Sequence, residues 1–267
     1  MSHGRVITIT SGKGGVGKTT VTANLSTALA MAGHKVVAID ADIGLRNLDV
    51  VMGLENRIVY DLVDVIEGRC RLTQAMIKDK RIEGLSMIPA AQTRDKNAVS
   101  PTDMVLVCDQ LREEVDYIVI DSPAGIERGF QNALAPADHV IIVTNPEVSA
   151  VRDADRIIGM IEAEEKGPGR LVINRYKPDM VARGDMLSIE DIVDILHIDV
   201  IGIIPEDENI LVSTNRGEPI VMLNGHAKDT GVAIRNIVKR VKGEEIPFID
   251  LSVKDGLFSR LRGWVAG

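Results

Sequence analysis

The stretch Gly12-Lys13-Gly14-Gly15-Val16-Gly17-Lys18-Thr19-Thr20 decides the fold of this chain. It follows an apolar run that predicts a strand over residues 6–10 and precedes an alanine- and leucine-rich pattern that predicts a helix over residues 18–32. Glycines at this spacing let successive backbone N–H groups surround an anion, and the first turn of the helix adds partial positive charge. Lys18 supplies charge at the phosphates and Thr19 supplies a hydroxyl to Mg²⁺. All nine residues are therefore predicted to line a phosphate-binding site.

Composition favours a single α/β domain. The chain has 267 residues, of which 45% are hydrophobic and only 3% aromatic, so aliphatic side chains must fill the core. Such a core is typical of a parallel sheet covered by helices on both faces. Predicted strands alternate with predicted helices, and residues 219–223 are predicted as a further short strand. We predict a largely parallel, twisted sheet of the P-loop NTPase type over residues 1–242, then a tether over residues 243–253.

Charge and cysteine content disfavour several other classes of protein. The net charge at pH 7 is −8, whereas nucleic-acid-binding surfaces are normally basic, so DNA is not expected as the main partner. Cys70 and Cys108 lie far apart without a Cys-x-x-Cys motif, which disfavours a disulfide framework or a metal site. Residues 1–5 are too few and too polar for a signal or transit peptide, and no apolar run approaches the roughly 20 residues of a membrane span. We expect a cytoplasmic protein.

Carboxylates follow two further predicted strands, over residues 35–40 and 117–120. Ligands of open parallel sheets bind at the carboxyl ends of strands, so these side chains are expected beside the phosphate loop. Asp121 is placed to coordinate Mg²⁺ through water, and Gly125 is placed to bring a backbone N–H to the γ-phosphate. Asp40 or Asp42 could hold an attacking or metal-bound water, although aspartates at strand ends also form turns or cap helices.

The loop contains a second lysine, Lys13, which phosphate binding within one subunit does not require and which could simply be solvated. With this lysine the loop resembles the deviant Walker A motif of the MinD/ParA family of ATPases. The resemblance runs nearly end to end and is most specific for the branch of that family that places the division septum. The segments that carry it are DIGLRNLD (42–49), DSPAGIE (121–127), TNPE (144–147), RGDML (183–187) and IPED (204–207).

The resemblance implies a catalytic arrangement that uses ATP and Mg²⁺. Lys13 would cross a face-to-face homodimer and contact the partner subunit's ATP, much as an arginine finger acts in trans. Lys18 would bind the phosphates in its own subunit. Asp42 would position the attacking water, and Asp40 would lie near the metal. Ordering of the loops after these strands by the nucleotide would then be the switch.

The resemblance also implies contacts to adenine and to partner proteins. Asn174, Pro205 and Asp207 would contact the base, although an asparagine after a strand is by itself more often a turn residue. The implied system selects the site of cell division, with MinC and MinE as partners. Family members bind these partners through a surface that includes the helix after Pro146. Arg152, Asp153 and Asp155 are the candidate contacts there, and a merely solvated helix face would explain them equally well.

The last segment, residues 254–267, is predicted to form an amphipathic helix that lies in the membrane interface. One face of this helix would be apolar, and the basic residues off that face would meet anionic headgroups. The apolar positions are Leu257, Phe258, Leu261, Trp264 and Val265, and the basic ones include Arg260 and Arg262. The alternative is a terminal helix docked on the core. Two such tails on an ATP-held dimer would bind anionic lipids on the inner face of the cell membrane, and hydrolysis would release them.

Two other functions compete with this interpretation. The first is a ParA-type ATPase that positions DNA or another cargo, which the acidic composition and the aromatic tail disfavour. The second is a non-enzymatic membrane scaffold that merely holds nucleotide. An ATPase rate that rises with partner and lipid would exclude the scaffold, and stimulation by DNA without lipid would favour the first.

Overall fold

The computed structural model describes residues 3–223 and 228–251, apart from the side chains of Lys96 and Lys228. Its strands form one sheet in the order β3-β4-β2-β5-β1-β6-β7-β8. The strands are β1 Arg5–Thr10, β2 Val36–Asp40, β3 Ile77–Lys78, β4 Leu85–Ile88, β5 Tyr117–Asp121, β6 His139–Thr144, β7 Arg170–Tyr176 and β8 Val200–Pro205. Every neighbouring pair is parallel except β3 and β4, which are antiparallel. The predicted largely parallel sheet is confirmed.

Helices cover both faces of this sheet, as predicted. They are α1 Lys18–Met31, α2 Leu48–Met52, α3 Leu62–Ile66, α4 Leu72–Ala75, α5 Pro101–Arg112, α6 Arg128–Leu134, α7 Val148–Ala163, α8 Pro178–Ala182, α9 Ile189–Leu196, α10 Asn209–Asn215 and α11 Lys228–Val241. Within the described ranges, three short 3₁₀ segments lie at Glu55–Arg57, Lys96–Ala98 and Ile220–Met222.

Alternate residues of the strands bury against different helices. In β1, Ile7 and Ile9 join a cluster with α1 and α11, whereas Val6 joins a cluster with α5 on the opposite face. A third cluster packs α6, α7 and α9 against β6 and β7. α1 is buried along nearly its whole length, so it forms the centre of its layer. This packing fixes the start of α1, and with it the loop before it, against the middle of the sheet.

Local sequence signals set several helix starts. Ser100 caps α5 by accepting a hydrogen bond from the N–H of Asp103, and Pro101 occupies the first helical position, where its missing N–H costs nothing. Ser188 caps α9 in the same way through Asp191.

One predicted strand is wrong. Residues 219–223 contain a 3₁₀ turn over Ile220–Met222 in place of a strand. Pro219 has no N–H to give to a ladder, and the N–H of Val221 donates to the side-chain oxygen of Asn24 in α1 at 3.1 Å. The helix α4 ends at Ala75, because Ile77 and Lys78 pair with β4.

The tether begins with a reversal of the chain after α11, and Arg240 contacts the returning residues. No helix within the described ranges is long and apolar enough to span a membrane. The predicted amphipathic segment 254–267 lies outside the described residues.

Candidate nucleotide-binding site

The predicted phosphate loop connects β1 to α1 at the carboxyl edge of the sheet. Gly17 precedes α1 with φ of +102°, a backbone conformation that residues with a Cβ rarely adopt. Because Gly17 has no side chain that could accept hydrogen bonds from the first N–H groups of α1, their partial positive charge is suited to an anion. The loop geometry therefore fits a bound phosphate chain.

Asn174, near the end of β7, contacts the phosphate loop. Its side-chain nitrogen donates to the carbonyl of Val16 at 2.7 Å, and the residue is buried. A Cβ at position 17 would lie 2.3 Å from that nitrogen, so the close approach requires Gly17. Asn174 thus hydrogen-bonds to the phosphate loop, and its contact with adenine remains a prediction.

Gly12 joins the loop to α7. A Cβ at this position would lie 2.2 Å from the carbonyl oxygen of Asp153, so only glycine lets the helix backbone approach the loop. The predicted partner surface on α7 is therefore in direct contact with the predicted phosphate site. Arg152 and Asp155 are exposed on that helix, and Asp153 is half-buried with its carboxylate 3.7 Å from Arg156.

Lys18 is buried at the floor of the loop. Burial lowers the pKa of its ammonium group, while the carboxylates of Asp121 and Asp42 act in the opposite direction. Asp121 accepts a hydrogen bond from Thr22 at 3.1 Å and another from the hydroxyl of Thr19. The predicted phosphate lysine, metal hydroxyl and metal carboxylate are therefore brought together.

Asp40 and Asp121 are opposite each other on the adjacent parallel strands β2 and β5. Burial and the neighbouring Asp121 raise the pKa of Asp40 to about 7, and burial raises the pKa of Asp121 to about 6. Oxygen donors of this kind, beside the Thr19 hydroxyl, suit Mg²⁺, which prefers few protein carboxylates and several waters. This donor set fits the predicted metal.

Asp40 and Asp42 differ in how their carboxylates are used. Asp40 accepts backbone hydrogen bonds from Asp42 at 3.0 Å, Asn47 at 3.1 Å and Leu48 at 3.0 Å, so it holds the loop that leads into α2. Asp42 is half-buried, and its charge acts on Lys18 and Asp121. Asp40 therefore shapes the segment that leads into α2, and the water-positioning role of Asp42 remains a prediction.

Lys13 lies at the exposed rim of the site. Its ammonium group donates to Glu147 at 2.9 Å and to Ser149 at 3.0 Å, both at the start of α7. The Lys13 side chain is 40% exposed and that of Glu147 50%, so water reaches the pair. The Lys13 hydrogen bond and charge lower the pKa of Glu147.

The remaining residues predicted to contact the nucleotide also lie at the carboxyl edge of the sheet. The N–H of Gly125 donates to the carbonyl of Ser11 at 3.2 Å, which places the loop after β5 beside the phosphate loop. Pro205 ends β8 in register with Tyr176 of β7. Asp207 accepts hydrogen bonds from Asn209 at 2.9 Å and Thr230 at 2.8 Å, so its carboxylate links the start of α10 to α11.

Sequence reasoning missed Glu147 and Ser149 as the residues that hold Lys13. The available signal was the polar segment directly after β6, because polar residues at the carboxyl end of a parallel strand lie at the ligand-binding edge. It also missed the ion pair of Arg46 with the buried Asp49 at 2.8 Å, which lies within the segment 42–49.

Comparison with protein families agrees with this geometry. Residues 7–220 match the CobQ/CobB/MinD/ParA nucleotide binding domain. Over 264 residues the chain is 52% identical to the septum site-determining protein MinD of Synechocystis, covering 98% of this chain and 99% of that protein.

Solved structures give the same result. One chain of the MinC:MinD cell division protein complex of Aquifex aeolicus superposes with a TM-score of 0.85 and 51% identity, covering 93% of this chain and 100% of that one. MinD of Pyrococcus horikoshii complexed with Mg-ADP superposes with a TM-score of 0.79 and 32% identity, covering 89% and 95% of the two chains.

Proposed function

The chain belongs to the MinD family of septum site-determining ATPases, and from that premise we propose that ATP controls its dimerisation and its attachment to the membrane. In this proposal the ATP-bound homodimer recruits MinC, and hydrolysis stimulated by MinE releases the protein from the membrane. The protein would then act on the cytoplasmic face of the inner cell membrane. The observation that carries the proposal is the exposed Lys13, held at the rim by Glu147 and Ser149.

Nucleotide binding uses the floor of the loop. The backbone N–H groups of residues 12–18 and the ammonium of Lys18 would bind the phosphates, and Thr19 would hold Mg²⁺ directly, with Asp121 and Asp40 bound through water. Mg²⁺ would neutralise charge on the phosphates as the bond to the γ-phosphate breaks. Asp42 would orient the attacking water. The Mg-ADP complex of the Pyrococcus relative supports this cofactor pair.

Dimerisation would use the same edge of the sheet. Large apolar side chains are exposed around it, a pattern typical of a surface that another protein covers; they are Leu45, Ile126, Val148 and Leu211. The Lys13 ammonium group would leave Glu147 and bind the partner subunit's ATP, because an exposed ion pair is weak enough to be broken. The contact of Gly12 with Asp153 would then couple the loop to the MinC- and MinE-binding face of α7.

Membrane attachment would use residues 254–267, each tail binding weakly alone. Ordering a helix costs about 1–2 kcal/mol per residue, which offsets much of the gain from partly burying its large apolar side chains. Two tails on one dimer would bind together through their effective concentration. The ParA-type alternative is disfavoured, because identity of about one half to septum-placing relatives extends over nearly the whole chain.

The experiment that tests this function is sedimentation with anionic liposomes in ATP and in ADP. It compares the full chain with a chain truncated after Ser252 and with Lys13→Ala. ATP-dependent binding that is lost in both variants is the expected result. Equal binding in ATP and ADP would contradict the switch, and binding to DNA without lipid would favour the alternative.

A further inference from the structure

Arg240, in the last turn of α11, holds the chain that follows the helix. The chain reverses there, because the N–H of Gly243 donates to the carbonyl of Arg240 and that of Glu244 to the carbonyl of Lys239. The Arg240 guanidinium donates to Ile246 O at 3.0 Å, Pro247 O at 2.9 Å and, in β8, Ile201 O at 2.9 Å; these contacts of the Arg240 side chain are called the clasp.

The clasp docks residues 246–249 on the body of the protein. The Cζ atom of Arg240 lies over the ring of Phe248, 4.0 Å from its centroid, in cation–π geometry. Ile249, next in the chain, packs against the hydrophobic cluster that contains α1 and α11. The planar guanidinium makes these contacts together through its fixed fork of N–H groups, and a lysine ammonium cannot reproduce them.

We propose that Arg240 is a positioning residue that fixes where the membrane-binding segment begins, an inference that rests on the function proposed above. With the clasp closed, four positions, 250–253, separate Ile249 from the segment 254–267; with the clasp open, the eleven positions 243–253 do so. An extended chain spans about 3.5 Å per residue, so the maximum reach rises from roughly 14 Å to roughly 39 Å. The clasp therefore keeps the segment close to the body.

The consequence concerns the dimer more than the single subunit. When one tail of a dimer is bound and the tethers already span the distance between the two tails, the second tail binds at an effective concentration that falls as about the −3/2 power of tether length. A change from four to eleven positions lowers that concentration roughly fivefold. Opening the clasp should therefore weaken membrane binding in ATP, where two tails act together, and leave binding in ADP unchanged.

The experiment uses the full-length Arg240→Lys variant, because this change keeps the positive charge and removes the planar guanidinium that makes the clasp contacts. Lys239→Ala, on the same helical turn, is the matched control that removes a charge outside the clasp. Hydrogen exchange of the amides of Ile246, Phe248 and Ile249 reports whether the clasp is open, since Pro247 has no N–H. Titration with vesicles of phosphatidylglycerol and phosphatidylcholine, in ATP and in ADP, reports binding, and basal ATPase activity checks that the nucleotide site is intact.

The expected result for Arg240→Lys is faster exchange at Ile246, Phe248 and Ile249 and roughly fivefold weaker binding in ATP. Binding in ADP and all properties of Lys239→Ala should match the wild type. Faster exchange with unchanged binding in ATP would overturn the positioning role while leaving the proposed function intact, and unchanged exchange would also overturn it. A wild-type chain without ATP-dependent binding would contradict the proposed function and this inference with it.

Discussion

The floor and the rim of the phosphate loop each contain one lysine, and the two lysines have opposite environments. The floor comprises Lys18 with Thr19, Asp40 and Asp121, and its lysine is 8% exposed among buried carboxylates. The rim comprises Lys13, Glu147 and Ser149, and its lysine side chain is 40% exposed. The two lysines lie five positions apart in one loop.

This difference separates binding from switching. Removing a buried charge from the opposite charges that face it costs several kcal/mol, so the floor keeps one arrangement. An exposed ion pair is worth only about 0–1 kcal/mol, so Lys13 can leave Glu147 for another anion at little cost. The floor is therefore suited to hold nucleotide in every state, and the rim to respond to a second subunit.

The largest effect is expected from Lys18→Ala at the floor. The change removes the buried cation that faces the phosphates, and truncating such a partner costs about 3 kcal/mol, or roughly 100-fold in affinity for ATP. Calorimetric titration with Mg-ATP measures it. Lys13→Ala is the contrasting variant, with affinity within about threefold of the wild type. Similar losses in both variants would remove the distinction between floor and rim.

A smaller effect is expected from Gly12→Ala, at the joint between the loop and α7. The added methyl group would lie 2.2 Å from a backbone oxygen, which cannot move aside as a flexible side chain can. Overpacking of this kind costs about 1–3 kcal/mol of folding stability. Urea unfolding measures the loss, with Gly159→Ala on the outer part of α7 as the control, where a Cβ meets no atom within 4 Å. Equal stability of the two variants would contradict the tight contact.

Much of the floor could be predicted from sequence, because glycine spacing and strand-end aspartates are local patterns. Long-range contacts could not be predicted this way. The bond from Asn174 to Val16 joins residues 158 positions apart, and that from Lys13 to Glu147 joins residues 134 apart. The prediction of a strand at residues 219–223 was wrong for the same reason, since the hydrogen bond from Val221 to Asn24 depends on the packing of α1.

The pH dependence of stability tests the buried carboxylates of the floor. Asp40 and Asp121 have pKa values raised to about 7 and about 6 in the folded chain, above the value near 3.9 of an unfolded aspartate. At pH values between about 4 and about 7 the folded state therefore binds more protons than the unfolded state. The stability without nucleotide should thus decrease as the pH rises from 5 to about 8. Asp40→Asn should remove roughly 2–3 kcal/mol of this decrease over the range. Thermal unfolding without Mg²⁺ measures it, with the exposed Asp155→Asn as control.

The smallest effect is expected from Glu147→Gln at the rim, and it sharpens the comparison most. Glutamine keeps a hydrogen-bonding oxygen for Lys13 but removes the charge, so the pair should lose about 0.5 kcal/mol and stability should barely change. If the rim holds Lys13 until a partner's nucleotide replaces Glu147, the variant should dimerise at ATP concentrations up to about twofold lower. Analytical ultracentrifugation across an ATP series measures this shift, with Ser149→Ala testing the neutral contact. Weaker dimerisation of Glu147→Gln would mean that Glu147 itself belongs to the interface, because then its charge supports the dimer and does not compete with it.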